Sequence, residues 1–249
     1  MRRFRRIFAL LLTAALLLTA CGSKKEETQG DSQNFSAGSQ VDSSTSDSDG
    51  TEEADAEDSS ASQSLIDLGQ ELSVQEIKAY AGSYVEDGSD ETVDGVCAVT
   101  VKNLTSQTIQ YAKLNLIQGD QTYSFEVSTL PPGASAQLLE LSRQAVPENL
   151  EGMTGTLENL AFFQEEPSLY EDIFQLETQD QAITIQNISD TDITGQIYVY
   201  YKSAYDDLYM GGITYRSGQE GLKAGESATC YAGHFSQDYS KVMFITYVP

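Results

Sequence analysis

His234 is the only histidine in the chain. It lies in Ala232-Gly233-His234-Phe235-Ser236, where a strand pattern runs into a loop. A Ser-His-Asp set would use it as the base, yet no Gly-x-Ser-x-Gly elbow accompanies it. A loop hydrogen-bonding role needs nothing more. Cys97 and Cys230 are far apart in sequence, and one histidine with two separated thiols does not make a zinc site. No Gly-x-x-x-x-Gly-Lys-Ser loop is present to cradle a phosphate. The run Glu86-Asp87-Gly88-Ser89-Asp90-Glu91-Thr92-Val93-Asp94 is dense in hard oxygen ligands, but it lacks the twelve-residue spacing of an EF-hand. A solvated acidic hairpin is expected there. These readings predict no catalytic residue, no metal and no cofactor.

Tyrosine is the enriched type with binding chemistry. The chain has 14 Tyr and no Trp, and ten of the tyrosines lie from Tyr170 onward. Tyr pairs a broad apolar face with a polar tip, which suits recognition surfaces; aromatics are also good strand formers. Tyr198, Tyr200 and Tyr201 leave the phase of their strand open. An 84-residue internal offset aligns Tyr198 and Tyr200 with Leu114 and Leu116 and would put them in a core. Read alone, Ile197, Val199 and Tyr201 form the better inward set. Tyr205, Tyr209 and Met210 lie beyond this ambiguity, at an expected hairpin tip with Asp206 and Asp207. They are the candidate partner contacts.

The N-terminus carries a different chemistry. Arg2, Arg3, Arg5 and Arg6 precede an apolar stretch from Ile7 to Ala20, too short to span a bilayer comfortably. Leu18-Thr19-Ala20-Cys21 follows, then Gly22 and Ser23. The segment resembles a bacterial lipoprotein signal peptide, with 18–21 as its lipobox. The resemblance implies cleavage before Cys21, thioether lipidation of Cys21 and a product anchored in the cell membrane on its extracytoplasmic side.

The chain has a formal net charge of −24. Loss of the four arginines in 1–20 would take the charge to −28. Such a charge disfavours nucleic acid, and anionic membrane surfaces by electrostatics. From 21 to 64 the sequence is Ser, Asp, Glu, Gln, Gly, Thr and Ala with almost no core-forming residue. It cannot offset its ordering entropy and is expected to be a disordered tether. A neutral chain of that length spans about 35–40 Å, and mutual repulsion of its carboxylates lengthens it.

The rest, 65–249, contains an internal repeat. Ala98-Val99-Thr100-Val101-Lys102-Asn103-Leu104-Thr105 returns as Ala182-Ile183-Thr184-Ile185-Gln186-Asn187-Ile188-Ser189. Each copy alternates apolar and polar residues, then reaches Asn-x-Thr or Asn-x-Ser, good turn chemistry. Leu130-Pro131-Pro132-Gly133 is echoed by Leu222-Lys223-Ala224-Gly225. Strands are expected near 75–84, 96–102, 109–117, 121–127, 135–141 and 156–163, and again near 173–177, 182–187, 194–201, 211–216, 227–233 and 241–248. A short helical turn is expected within Leu65 to Ile77. The fold class predicted is all-β, as two tandem β-sandwich domains, 65–167 and 168–249.

A strand ending in Asn-x-Ser/Thr, a long strand, then Leu-x-x-Gly before another strand resembles the FxLYD-type and related immunoglobulin-like domains of bacterial surface lipoproteins. The likeness covers 96–141 and 182–233. It implies an immunoglobulin-like fold and an extracellular setting, and carries no functional residue across. In strand phase, Cys97 sits with Val99 and Val101, and Cys230 with Ala228 and Ala232. Both are expected to be buried thiols; a bridge between them remains the alternative. The function expected is that of a non-enzymatic, lipid-anchored interaction or display protein, binding a protein or an envelope polymer. The alternative is an extracytoplasmic hydrolase or solute-binding lipoprotein.

Overall fold

Alternation sets the architecture. Val99 and Val101, Leu114 and Leu116, Phe125 and Val127, and Ile183 and Ile185 are all buried at every second position, the period of a strand with one inward face. The computed structural model describes residues 65–249. Cys21 and the acidic segment 21–64 lie outside the described residues.

The described chain is all-β. Its strands are β1 (Ile66–Asp67), β2 (Leu72–Tyr84), β3 (Glu91–Asn103), β4 (Ile109–Gln118), β5 (Gln121–Leu130), β6 (Ser135–Leu139), β7 (Thr154–Phe162), β8 (Phe174–Gln179), β9 (Ala182–Asn187), β10 (Ile193–Tyr205), β11 (Leu208–Met210), β12 (Tyr215–Leu222), β13 (Ser227–Tyr231) and β14 (Ser240–Tyr247). One sheet runs β1-β2-β3-β6-β11-β10-β12, with β14 on the other side of β10. Two three-stranded sheets have the orders β5-β4-β7 and β13-β9-β8. All pairings are antiparallel except β11 with β6, which is parallel.

Two main apolar clusters form. The first draws on β2, β3 and β6 and on β4 and β5, with Leu72, Val99, Leu114, Phe125 and Leu138 at its centre. The second draws on β9 and β13 and on β10, β12 and β14, with Ile183, Ile185, Val199, Tyr201 and Ile245. A small third cluster of Tyr84, Val96, Ala98 and Leu139 lies apart from both.

The two repeats close on the same polar pin. Asn103 is fully buried. Its Nδ2 donates to the carbonyls of Gln107, Leu130 and Pro131, and its Oδ1 accepts from the Thr105 amide and hydroxyl. Asn187 is equally buried. Its Nδ2 donates to Thr191 and Leu222, and its Oδ1 accepts from the Ser189 amide and hydroxyl. The Gly133 and Gly225 amides donate to the carbonyls of the two asparagines, and both glycines hold positive φ, 70° and 76°. The Asn-x-Ser/Thr and x-x-Gly echoes of the sequence are thus one hydrogen-bonded unit, used twice.

The tyrosine phase resolves through one extra residue. Ile193 pairs with Leu222 and Gln196 with Glu220, so the β10–β12 register slips by one between them. The matching stretch of β4 on β5 has no slip. Beyond this bulge, Ala112, Leu114 and Leu116 correspond to Ile197, Val199 and Tyr201, which are buried. Tyr198 and Tyr200 face outward and are partly exposed. Tyr200 stacks on Phe244 at 4.3 Å.

Two local expectations are corrected. Leu65 to Ile77 holds no helical turn. Ile66 and Leu68, then Leu72 and Val74, bury at strand spacing, and between them the Gly69 amide bonds Asp67 Oδ1 with Gly69 at φ 103°. The strand expected near 211–216 lies later, at Tyr215–Leu222, and 211–214 is a connection. β11 ends at Met210 and β12 begins at Tyr215. Gly211 holds φ 81°, and Gly212 lies so close to the Glu126 carbonyl that a Cβ would collide with it.

Candidate functional site

The tip begins where β10 outruns its neighbours. A two-residue turn, Asp206-Asp207, joins β10 to β11, with Tyr205 opposite Leu208 and Ala204 opposite Tyr209. Asp206 takes φ 51°, a conformation that Asp tolerates better than most residues. The three residues singled out from the sequence then part company. Tyr205 points to solvent, 59% exposed, and its ring stacks on Tyr239, 55% exposed, at 6.0 Å and 17°. Tyr209 and Met210 are half-buried, because β11 pairs with β6. Tyr209 packs against the first apolar cluster, and burial raises its phenol pKa.

Lys241 ties the tip together. Its Nζ donates to the Asp206 carbonyl at 3.1 Å, lies 3.8 Å from Asp207 Oδ1 and sits 5.9 Å from the centre of the Tyr209 ring. The Ala204 amide donates to the Tyr239 carbonyl, which holds the two exposed rings in register. The result is a pair of apolar faces with phenolic edges on a braced backbone. Such a surface can hold a partner by contact, with the polar rim set by Asp206 and Asp207. Nothing in the sequence marks Tyr239, which follows Asp238 in an unpatterned loop; only the fold brings it to Tyr205.

A second constellation, marked by no sequence motif, lies where the repeats meet. Lys202 is fully buried. Its Nζ donates to the carbonyls of Ser128, Gly212 and Ile213 at 2.9, 3.0 and 2.9 Å, so every ammonium proton has an acceptor. Burial pushes its pKa down to about 7, with the Glu86 carboxylate opposing that shift. The Glu86 carboxylate accepts from the amides of Leu139 and Gly212. Burial raises its pKa, against the pull of those amides and of Lys202. Ser128 completes the group, its amide donating to the Gly212 carbonyl and its hydroxyl meeting Thr214. Beside it lies a cavity of about 190 Å³ lined by Glu86, Tyr111, Glu126, Leu141 and Ile213.

The acidic run is therefore not merely solvated. Glu86 turns inward, Arg143 bonds both Asp87 and Glu91 at 2.8 and 2.6 Å, and Asp90 Oδ2 lies 3.1 Å from His234 Nδ1. The His234 ring stacks on Tyr215 at 4.4 Å and 16°. Burial, then the Asp90 and Glu86 charges, hold the Tyr215 phenol well above its ordinary pKa. Of a Ser-His-Asp set this supplies the last two members. Among the described residues no serine hydroxyl bonds to His234. Nor, among them, does any group of three or more His, Cys, Asp or Glu gather as metal ligands.

The thiols are buried and unbridged. Cys97 belongs to the first cluster and Cys230 to the second. Burial, with Glu140 adding to it, pushes the Cys97 thiol up to about 12; burial also raises Cys230, against a bond from Ser217. Both behave as small hydrophobes.

Comparison with protein-family models finds no match, and comparison with curated proteins finds no similar sequence.

Proposed function

We propose that this chain is a lipid-anchored binding protein of the bacterial cell envelope, facing the extracytoplasmic side. In this reading Cys21 carries the lipid and 21–64 is the spacer. Residues 65–167 and 168–249 are two immunoglobulin-like sandwich modules that display the Tyr205–Tyr239 tip to a protein or an envelope polymer. The observation that carries the binding role is that stacked pair: two aromatic rings, each more than half exposed, on a turn braced by Lys241 and by the β11–β6 pairing. Exposed rings on a rigid turn lose little conformational freedom when a partner covers them. Two separate main clusters and the duplicated asparagine pin support the modular part of the reading.

The test is capture from a cell-envelope extract with the full chain as bait. Tyr205→Ala with Tyr239→Ala is expected to lose the captured partner by tenfold or more while the thermal midpoint stays where it was. Equal capture by the double variant would remove the tip from the binding role. The anchor is tested separately: Cys21→Ala is expected to move the protein from the detergent phase to the aqueous phase, and equal partitioning of the two proteins would end the lipobox reading.

A further inference from the structure

The two asparagine pins put β2 and β8 in equivalent places, and only one of them has its outer edge covered. Leu72 lies opposite Asn103 and Val74 opposite Val101; Phe174 lies opposite Asn187 and Leu176 opposite Ile185. Asn187 uses its amide and carbonyl on the side away from β8, toward Glu226 and Gly225. In an antiparallel ladder, residues facing such a position turn their own groups outward, and so does every second residue after them. Phe174, Leu176 and Thr178 thus present their amides and carbonyls to the outer edge of β8.

In the first repeat that edge is used. β1 pairs with β2, Ile66 opposite Val74, and the Leu65 amide donates to the Val74 carbonyl. Ile66 and Leu68 enter the first apolar cluster. In the second repeat the chain ahead of β8 turns sharply instead: the Ile173 and Phe174 amides both donate to the Tyr170 carbonyl. Among the described residues, no backbone bond reaches Leu176 or Thr178 from outside the sheet. A groove of about 410 Å³ lies there, lined by Leu169, Phe174, Leu176 and Ile188 with Glu171 and Gln175.

β8 also lacks the protections of an edge. Beyond β1, the outer edge of β2 carries Lys78 and register slips after Val74 and after Tyr80, features that discourage strand addition. β8 pairs with β9 without a slip and carries no basic residue. Its charge is one-sided: from 144 to 201 the sequence holds eleven Asp and Glu and no Lys, Arg or His. Glu171, Asp172 and Glu177 are exposed beside the edge.

We propose that the outer edge of β8 accepts one further strand from a basic, extended polypeptide, its amides and carbonyls bonding Leu176 and Thr178 and its alternate apolar side chains filling the groove. The template is β1 on β2, with lysine or arginine where β1 has Asp67. This deepens the binding-protein reading and rests on it, but uses a surface separate from the tyrosine tip. Strand addition takes affinity from the backbone and specificity from alternate side chains, and the acidic surroundings select a cationic strand over others.

The probe is the peptide Lys-Leu-Ile-Lys-Leu-Lys, labelled for fluorescence anisotropy and titrated into the full chain. Binding is expected, with slowed hydrogen exchange at the Leu176 and Thr178 amides. Thr178→Pro removes one outward amide while leaving the β9 side of the ladder intact, and is expected to weaken binding at least tenfold. Glu171→Lys with Glu177→Lys is expected to weaken it about five- to tenfold, and raised salt should do the same to the unaltered chain. Tyr205→Ala with Tyr239→Ala should leave peptide affinity unchanged. The proposal falls if the peptide does not bind, if it binds without protecting those amides, or if Glu-Leu-Ile-Glu-Leu-Glu binds equally. It also falls if sedimentation shows that a second copy of the chain already occupies the edge. Any of these with tip-dependent envelope capture intact would overturn the strand site alone; loss of tip-dependent capture with the peptide result standing would overturn the tip alone.

Discussion

The two repeats share a pin and differ in what surrounds it. In the first, Asn103 makes five side-chain hydrogen bonds and β1 closes the sheet edge. In the second, Asn187 makes four, the edge is bare, and β10 has gained a bulge. The extra residue turns Tyr201 inward and sends Lys202 to the other side of the strand, where it meets the first repeat. A side chain that an unbulged strand would point into the second cluster is instead the post around which Ser128, Gly212 and Ile213 gather. One inserted residue in a strand moves every later side chain to the opposite face, so a duplicated unit can acquire a new interface without a new fold.

The sharpest way to break this comparison is to remove the post. Lys202→Ala leaves three carbonyls without their donor and the inward Glu86 carboxylate without its counter-charge. A loss of about 3–5 kcal/mol in urea unfolding is expected. If the two repeats then melt in separate steps, Lys202 was what joined them; a single step at unchanged midpoint would show the contact to be incidental.

The pins come next. Asn103→Ala is expected to cost about 3 kcal/mol and Asn187→Ala about 2, since each leaves buried carbonyls unpaired and the first leaves one more. Equal costs would mean that the Pro131 bond contributes nothing.

The junction also sets a pH dependence. Between about pH 7 and its ordinary 10.5, Lys202 holds fewer protons folded than unfolded. Stability should therefore rise with pH across that window, by up to about 1.4 kcal/mol per unit. Glu86 acts in the opposite sense. Its raised value means that the folded chain holds the proton longer. Its contribution is fully present below pH 4.5 and is lost as pH climbs through the raised value. Urea titrations at several pH values should show the alkaline rise vanish in Lys202→Met and the acidic fall vanish in Glu86→Gln. The smallest effect belongs to the tip: Tyr205→Ala with Tyr239→Ala should change stability by less than about 0.5 kcal/mol, as expected of rings that face water.

Much of this was legible in the chain. Val99, Val101, Ile183 and Ile185 alternate plainly, and the two Asn-x-Ser/Thr strings mark strand ends because a buried asparagine needs both its neighbours and the following turn. The phase of Cys97 with Val99 predicted its burial. What escaped depends on register or on distant chain. The bulge after Ile193 leaves no mark in Thr194-Gly195-Gln196 that fixes its position. Lys202 reads as a surface lysine because its acceptors are carbonyls 10 and 74 residues away. Ile66 and Leu68 were open to a helical reading because a strand as short as β1 shows only one alternation. For the tip, the turn could be read, but the division of Tyr205 from Tyr209 could not, since β6 alone decides it.

The parallel pairing of β11 with β6 also bears on the order in which the chain is made. Ser135 precedes its partner Leu208 by 73 residues. During synthesis from the N-terminus, any first-repeat sheet that forms early exposes the β6 edge until Leu208-Tyr209-Met210 arrives. That edge is short and stops at Glu140, whose buried carboxylate gathers the amides of Ser124, Ser142 and Gln144. The nascent chain is thereby left with a sticky edge only a few residues long, and the later-made repeat supplies its cover.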